Sequence, residues 1–344
     1  MDLGAKIKAL RTDASMTQEE LASKLEVTPQ AVSKWENNTC APDIYMLPKL
    51  SVEFGVTIDE LFDLTIDERL HRIENLLDME TTLTNRTFQD TKEFLFDQLS
   101  TYPVKGRIES FIAHLYHHRM QSDAAVVSRY ARESMQKKPD VKDAQWLLQM
   151  SEGAAITDWN ARQHNKTILF YKEQVEKFPD VSRNYLELMD NLLMDYRTKE
   201  AREILERYQK VEGHQERQVP VYEARIAVRE GNFALADQWI KILLERFPED
   251  SGALFEAAGF YADRCDYDKA LELFEKSYAL SAKPRYSDEL LAEAIIYEIR
   301  GEYEKAIEAL KRVLENLENE WGFTEGAPVI SVTEEIRRLQ GYLK

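Results

Sequence analysis

The chain has 344 residues with a formal net charge of −17, and 44% of them are hydrophobic. This length favours two domains, and a composition with only 12 Gly and 10 Pro favours long helices over sheets. There is no run of 18 apolar residues and no export signal at the amino terminus, so we expect no membrane partner and a cytoplasmic location. Cys40 and Cys265 provide neither a disulfide framework nor a metal-ligand pair.

The N-terminal segment predicts five short helices. Thr17 and Glu20 form the sequence signature of a capping box, which opens the second helix. Thr28 caps a third helix, and Pro29 stands at its first position, where the missing N–H costs nothing. Two further helices follow, the first of them with Pro48 in its first turn. The second and third helices, joined by a short turn, are the unit that places its second helix in the major groove of DNA.

This segment resembles a known family of DNA-binding domains. The stretch TQEELASKLEVTPQAVSKWENN and the following PDIYMLPKLSVEFGVTIDELF are similar to the Xre/Cro family of phage and bacterial repressors. The resemblance covers residues 1–64 and implies a lambda-repressor-like head with double-stranded DNA as its partner. A head used for protein contacts instead of DNA is the alternative.

The resemblance also implies roles for individual residues. In the family, the start of helix two contacts a phosphate, the exposed face of helix three reads bases, and the next loop contacts the backbone. The implied DNA-binding residues are Gln18, Thr28, Pro29, Gln30, Ser33, Lys34, Asn37, Asn38 and Thr39. Gln30 suits a bidentate contact with adenine, and Lys34 suits guanine or a phosphate. Arg11 and Glu36 occupy the positions of a structural ion pair, and Pro29 replaces a polar residue common in the family.

The net charge opposes DNA binding, because phosphate contacts supply most of the non-specific affinity. The first 40 residues are close to neutral, however, so the acidic excess belongs to the rest of the chain. We therefore expect weak, salt-sensitive binding by one copy and a homodimer that reaches useful affinity.

A connector of two amphipathic helices follows over residues 65–106, and the turn at Tyr102–Gly106 marks its end. The predicted domains are a DNA-binding head (1–64), this connector (65–106) and a helical array (107–344). The fold class is therefore all-α.

The array contains an internal repeat. Three alanines recur at spacings of 34 and 36 residues, an aromatic residue lies three positions before each, and another alanine lies twelve positions before. The recurring alanines are Ala236, Ala270 and Ala306. The aromatic residues before them are Phe233, Tyr267 and Tyr303, and the earlier alanines are Ala224, Ala258 and Ala294. The pattern resembles the tetratricopeptide repeat.

That resemblance implies an α-solenoid of about six helix pairs. Weaker copies cover 108–141, 144–181 and 182–215, and a terminal capping helix covers 333–343. Such stacks bind peptides or protein segments on their inner surface. The candidate groove residues are Tyr116, Arg119, Asn184, Asp190, Asn191, Arg225, Arg229, Phe255 and Glu298.

The sequence contains no phosphate-binding P-loop, G-x-S-x-G nucleophile turn or H-E-x-x-H zinc motif. His114 and His118 are one helical turn apart, but no Cys or carboxylate cluster accompanies them, so packing is favoured over metal binding. We expect no enzyme activity, no cofactor and no metal.

The combination of a helix-turn-helix head with tetratricopeptide-like repeats resembles the peptide-responsive regulators of Gram-positive bacteria. It implies a sequence-specific transcriptional regulator whose repeats bind a peptide or protein effector and mediate dimerisation. The alternative is an interaction adaptor, in which the repeats hold a protein partner and the head only tethers it.

Overall fold

The computed structural model describes residues 3–62, 65–141, 143–154 and 159–343. Over these residues the regular structure is entirely helical, which confirms the all-α prediction. The head and connector contain α1 (Leu3–Asp13), α2 (Gln18–Leu25), α3 (Pro29–Glu36), α4 (Met46–Phe54), α5 (Ile58–Leu61), α6 (Ile66–Met79) and α7 (Asn85–Gln98). The array contains α8 (Arg107–Lys137), α9 (Ala144–Ser151), α10 (Asn165–Lys177), α11 (Ser182–Met194), α12 (Thr198–Tyr208), α13 (Gln218–Arg229), α14 (Phe233–Arg246), α15 (Ser251–Asp263), α16 (Tyr267–Leu280), α17 (Asp288–Ile299), α18 (Tyr303–Trp321) and α19 (Ala327–Gln340), followed by a 3-10 turn.

The head, α1 to α5, has its own apolar core. Ile7, Leu21, Val32, Leu50 and Leu61 come from five different helices and are fully buried together. Each helix is short, so its stability comes from burying this apolar face rather than from helix propensity. The five predicted helices are therefore all present.

The connector helices share a second core with the start of α8. Leu70 and Ile73 of α6 pack with Phe88 and Leu95 of α7 and with Ile108 of α8. The chain divides into two compact units, residues 1–119 and 120–344, so the division falls inside α8. The predicted domain boundaries at 64 and 106 stay predictions, and residues 63 and 64 lie outside the described part of the chain.

One predicted helix pair is wrong. The repeat pattern predicted a pair of helices over 108–141, whereas α8 is a single helix of 31 residues. The segment from Arg107 to Lys137 contains neither Gly nor Pro, so nothing in it forces a turn.

The rest of the array is a stack of helix pairs. From α11 to α19 each helix packs on the next one along the chain, and α11 also contacts α13, as in a solenoid whose repeats contact the neighbouring repeats. The repeated alanines Ala236, Ala270 and Ala306 are 0% exposed. Small side chains at these crossings let the paired helices approach closely, as the repeat pattern predicted.

The capping helix α19 begins earlier than predicted, because Ala327 and Pro328 form its first turn. Pro is favoured there for the same reason as in α3. Val332 and Leu339 bury its apolar side in a core shared with α18. Among the described residues, the longest and most apolar helices fall short of what a membrane span requires.

Candidate DNA interface and effector groove

Local side-chain chemistry sets the start of both helices in the helix-turn-helix unit. The Thr17 Oγ1 atom accepts from the Glu20 backbone N–H at 3.1 Å, and the Thr17 N–H donates to the Glu20 carboxylate at 2.7 Å. At α3, the Thr28 Oγ1 atom accepts from the Ala31 N–H at 3.2 Å. These bonds satisfy N–H groups that a helix start leaves without partners, so α3 begins at a fixed residue.

The two faces of α3 differ sharply. Val32 and Trp35 are buried in the head core, whereas Gln30 and Lys34, one turn apart, are exposed. Ser33 is half-buried beside them. Among the described residues, neither the Gln30 side chain nor the Lys34 side chain has a hydrogen-bond or ion-pair partner. The exposed face therefore offers amide and ammonium donors to an external partner.

The loop after α3 is held by hydrogen bonds between asparagine side chains and the backbone. The Asn37 Nδ2 atom donates to the Ser33 carbonyl oxygen at 2.8 Å, which closes the helix. Asn38 has a φ of 54°, in the left-handed region that Asn tolerates, and its Oδ1 atom accepts from the Gly4 N–H at 3.2 Å. Asn38 was predicted to contact DNA, and here its amide oxygen joins this loop to α1. Thr39 is exposed.

Gln18, Arg11 and Glu36 form one network beneath α3. Arg11 donates to both carboxylate oxygens of Glu36, through Nε at 2.5 Å and Nη2 at 3.0 Å. The Gln18 Nε2 atom, predicted to face a phosphate, donates to Glu36 Oε2 at 2.8 Å. Burial alone would raise the pKa of Glu36, but the bonds from Arg11 and Gln18 outweigh it and lower that pKa below its usual value.

Two exposed residues near α3 were not among the predicted site residues. Ile44 and Tyr45 lie in the loop between α3 and α4, and both side chains are largely exposed. They are large apolar residues in a polar, proline-containing loop and belong to no apolar helix face. This feature of the sequence could have been used to predict them. Large apolar side chains in such a position mark a candidate contact surface.

In the array, an ionic ladder joins three odd-numbered helices. The Arg225 guanidinium on α13 donates to Asp190 on α11 at 2.9 Å and to Glu256 on α15 at 2.8 Å. The Tyr222 hydroxyl also donates to Asp190 at 2.9 Å. These contacts place α11, α13 and α15 side by side with their polar faces on one surface, which we call the groove face.

The other candidates in the array fall into smaller contacts. Arg229 donates to the Tyr196 hydroxyl at 3.2 Å, and Arg338 donates to Glu298 at 2.6 Å. The Asn191 Nδ2 atom donates to the carbonyl oxygen of Glu187 in its own helix at 2.8 Å, so one of its two donor hydrogens is used within α11. Asn184 is half-buried, and Phe255 packs edge-to-face on Phe274 with ring centroids 5.5 Å apart.

Tyr116 and Arg119, which were also predicted to line the groove, contact the connector. Both lie on the part of α8 that belongs to the first compact unit, and both contact Phe88 of α7, through ring centroids 5.4 Å apart and a cation–π distance of 4.8 Å. His118 lies there as well, with Nε2 2.6 Å from the carbonyl oxygen of Glu80. These contacts use all three residues to pack α8 against the connector.

Comparison with protein families identifies the class of the head. Residues 7–61 match the helix-turn-helix family model, and this range spans α2 and α3 with their caps. The N-terminal segment is therefore a helix-turn-helix domain.

Among individual proteins, the chain is similar to the HTH-type transcriptional activator BcrR of Enterococcus faecalis, with 44% identity over 61 residues. The match covers 18% of this chain and spans 30% of that relative's length. Similar solved structures include Bacillus thuringiensis PlcR in complex with a peptide and DNA, at 13% identity, a TM-score of 0.27 and 98% coverage of both chains. The apo form of the competence regulator ComR from Streptococcus vestibularis gives 15% identity, a TM-score of 0.23 and 98% coverage of both chains.

Proposed function

We propose that this protein is a sequence-specific DNA-binding transcriptional regulator that acts in the cytoplasm as a homodimer. The observation that carries the proposal is the outward presentation of Gln30 and Lys34 on α3, within a segment that matches the helix-turn-helix family. A helix capped at a fixed residue and packed through Val32 and Trp35 can enter the major groove with these two side chains leading.

DNA contact is assigned to two sets of residues. Thr28, Gln30, Ser33 and Lys34 face the bases, while Gln18, Asn37 and Thr39 face the phosphate backbone. Pro29 and Asn38 shape the surface, since Pro29 sets the start of α3 and Asn38 bonds Gly4. Gln18 can serve both roles, because its Nε2 atom carries a second hydrogen beyond the one given to Glu36.

The dimer follows from charge. Because the first 40 residues are close to neutral, one head provides few phosphate contacts, and two heads on half-sites about 34 Å apart supply twice as many. We assign the repeat array to effector binding on the groove face and to dimerisation. An effector would act by binding two arrangements of the heads with different affinities.

The decisive experiment is in-vitro selection of bound DNA with the full chain and with the double variant Gln30→Ala/Lys34→Ala. We expect the wild type to enrich a palindromic site and the variant to lose that preference. The matched control is Gln89→Ala/Lys92→Ala on α7, which removes the same chemical groups outside the helix-turn-helix segment and should keep the preference. Sequence-blind binding by all three proteins would overturn the base-reading assignment.

The adaptor alternative makes a different prediction about partners. If the array holds a fixed protein, that protein will co-purify in stoichiometric amounts and DNA affinity will not respond to peptides. If the array senses an effector, operator affinity will change on addition of the effector without a resident partner.

A further inference from the structure

Helix α17 is apolar on two opposite sides. Leu290, Ala294 and Ile296 are buried against α18 and the preceding pair. On the other side Leu291, Ile295 and Ile299, spaced by four residues, are 39%, 59% and 60% exposed. A surface helix ordinarily carries polar residues on its outer face, so this stripe leaves apolar area in water that a partner would cover.

The stripe ends beside a pocket of about 450 Å³ lined by α15, the loop after α16 and the start of α17. Asp288 lies one turn before Leu291 on the same face of the helix and is exposed. Glu289 also lines the pocket; it is only 6% exposed, and its Oε1 atom accepts from the Ser277 hydroxyl at 2.8 Å. Neither carboxylate has a basic side chain of the described residues within ion-pair distance.

The basic residues of the pocket are already neutralised. Arg217 pairs with Asp250 at 3.3 Å, and Arg285 forms a two-pronged pair with Glu320. The remaining acid in the lining, Glu256, is bound by Arg225 of the ladder. Among the charged residues that line the pocket, the two without an ion pair are therefore Asp288 and Glu289, and both are negative.

Gly252 makes room for Arg217 in the wall of the pocket. A Cβ atom at Gly252 would stand 2.7 Å from the Arg217 guanidinium carbon, so a larger residue there would displace this side chain. Phe255 lines the pocket on the same helix. The lining thus combines an aromatic side chain with the carboxylates of Asp288 and Glu289, and the apolar strip begins at Leu291, one turn after Asp288.

We propose that this surface binds a short peptide with a cationic end, its free α-amino group or a lysine or arginine near it, seated beside Asp288 and Glu289, and with apolar side chains lying along Leu291, Ile295 and Ile299. This inference rests on the effector role of the array proposed above and adds the chemistry and polarity of the effector. A cationic end is expected because it complements the negative charges of Asp288 and Glu289. Apolar peptide side chains are expected because Leu291, Ile295 and Ile299 form a continuous apolar strip.

The test is selection from a displayed heptapeptide library with free amino termini, using the full-length protein. We expect enriched peptides to combine a basic amino-terminal residue with two or more apolar residues. Affinity for an enriched peptide, measured by calorimetry, should fall at least tenfold in Asp288→Asn/Glu289→Gln and in Ile295→Asn. Acetylation of the peptide's amino terminus, with its basic side chains replaced by norleucine, should reproduce the loss.

Two controls separate this site from general effects. Glu315→Gln/Glu318→Gln removes two exposed carboxylates from α18, and Leu280→Asn changes an exposed apolar residue of α16, so neither should alter affinity. Because Glu289 is buried, Asp288→Asn alone is included as a variant at an exposed position that leaves the fold intact.

The outcomes are distinguishable. Enriched peptides that are acidic, or that bind the Asp288, Glu289 and Ile295 variants as well as the wild type, overturn the site while the effector role stands. No enrichment at all overturns both the site and the effector role. DNA selection on the same preparation reports the regulator proposal independently of either result.

Discussion

Arg11 and Glu36 stand 25 residues apart in the chain and form a doubly hydrogen-bonded ion pair, with N–O distances of 2.5 and 3.0 Å. The Glu36 side chain is 1% exposed and that of Arg11 is 13% exposed. Arg11 also donates to the Met16 carbonyl oxygen at 2.6 Å. Because Arg11 belongs to α1 and Glu36 is the last residue of α3, the pair holds the DNA-facing helix against the rest of the head.

Removing one partner should destabilise the head strongly. Arg11→Met leaves the Glu36 carboxylate buried without its counter-charge, which costs about 3 kcal/mol. Hydrogen exchange of the segments within residues 3–62, measured by mass spectrometry, should show a matching loss of protection. Lys24→Met is the control, since Lys24 and Glu53 form a more exposed pair worth about 0.5 kcal/mol. Equal protection in wild type and Arg11→Met would refute the role of the pair.

The same pair makes the head sensitive to acid. The pKa of Glu36 is lowered from an ordinary value of 4.5. At a pH between the lowered pKa of the folded state and 4.5, the folded head therefore binds fewer protons than the unfolded one. The stabilisation is complete above about pH 4.5 and is lost as the pH falls through the lowered pKa. Thermal unfolding between pH 7 and pH 3 should show this decline, and Glu36→Gln should flatten it. A decline of the same size in Glu36→Gln would assign it to other carboxylates.

Gly4 should resist replacement even though alanine is the better helix former. A Cβ atom at Gly4 would lie 2.2 Å from the backbone oxygen of Trp35 and 2.6 Å from Asn38 Oδ1, so α1 would have to move away from the end of α3. Gly4→Ala should therefore lower head stability and weaken DNA binding, measured by hydrogen exchange and by titration with selected DNA.

The control for this change is Gly259→Ala in α15. A Cβ atom there meets no other atom within 4 Å, so the substitution should stabilise the array by about 0.5–1 kcal/mol through helix propensity alone. A stabilised Gly4→Ala head would show that α1 and α3 tolerate a wider separation.

The repeat alanines should not tolerate larger side chains. Ala270 is 0% exposed at the contact between paired helices, and Ala270→Leu adds three carbon atoms to a closed interface, at a cost of about 3 kcal/mol. Ala279→Leu lies on the same helix at an exposed position and should change stability by less than about 0.5 kcal/mol. Urea denaturation of the full chain compares the two, and similar midpoints would argue against close helix packing at Ala270.

Several features of the protein could be predicted from the sequence, because their causes are local. The caps of α2 and α3 depend on Thr17, Glu20 and Thr28, each within three residues of its partner. The stack of helix pairs depends on small residues that recur at a fixed spacing, such as Ala236 and Ala270. The capping partners are three residues apart, and the packed helices are consecutive along the chain.

Only the tertiary structure decided which side chains meet across the array. Glu256 was absent from the predicted groove, yet it completes the ladder with Asp190 and Arg225, and the contact of Tyr116 with Phe88 was not predicted. Helical periodicity tells which residues share a face, but not which neighbouring helix that face meets. The reason is that contacts 30 or more residues apart are set by the crossing angles of packed helices, which depend on all the side chains between them at once.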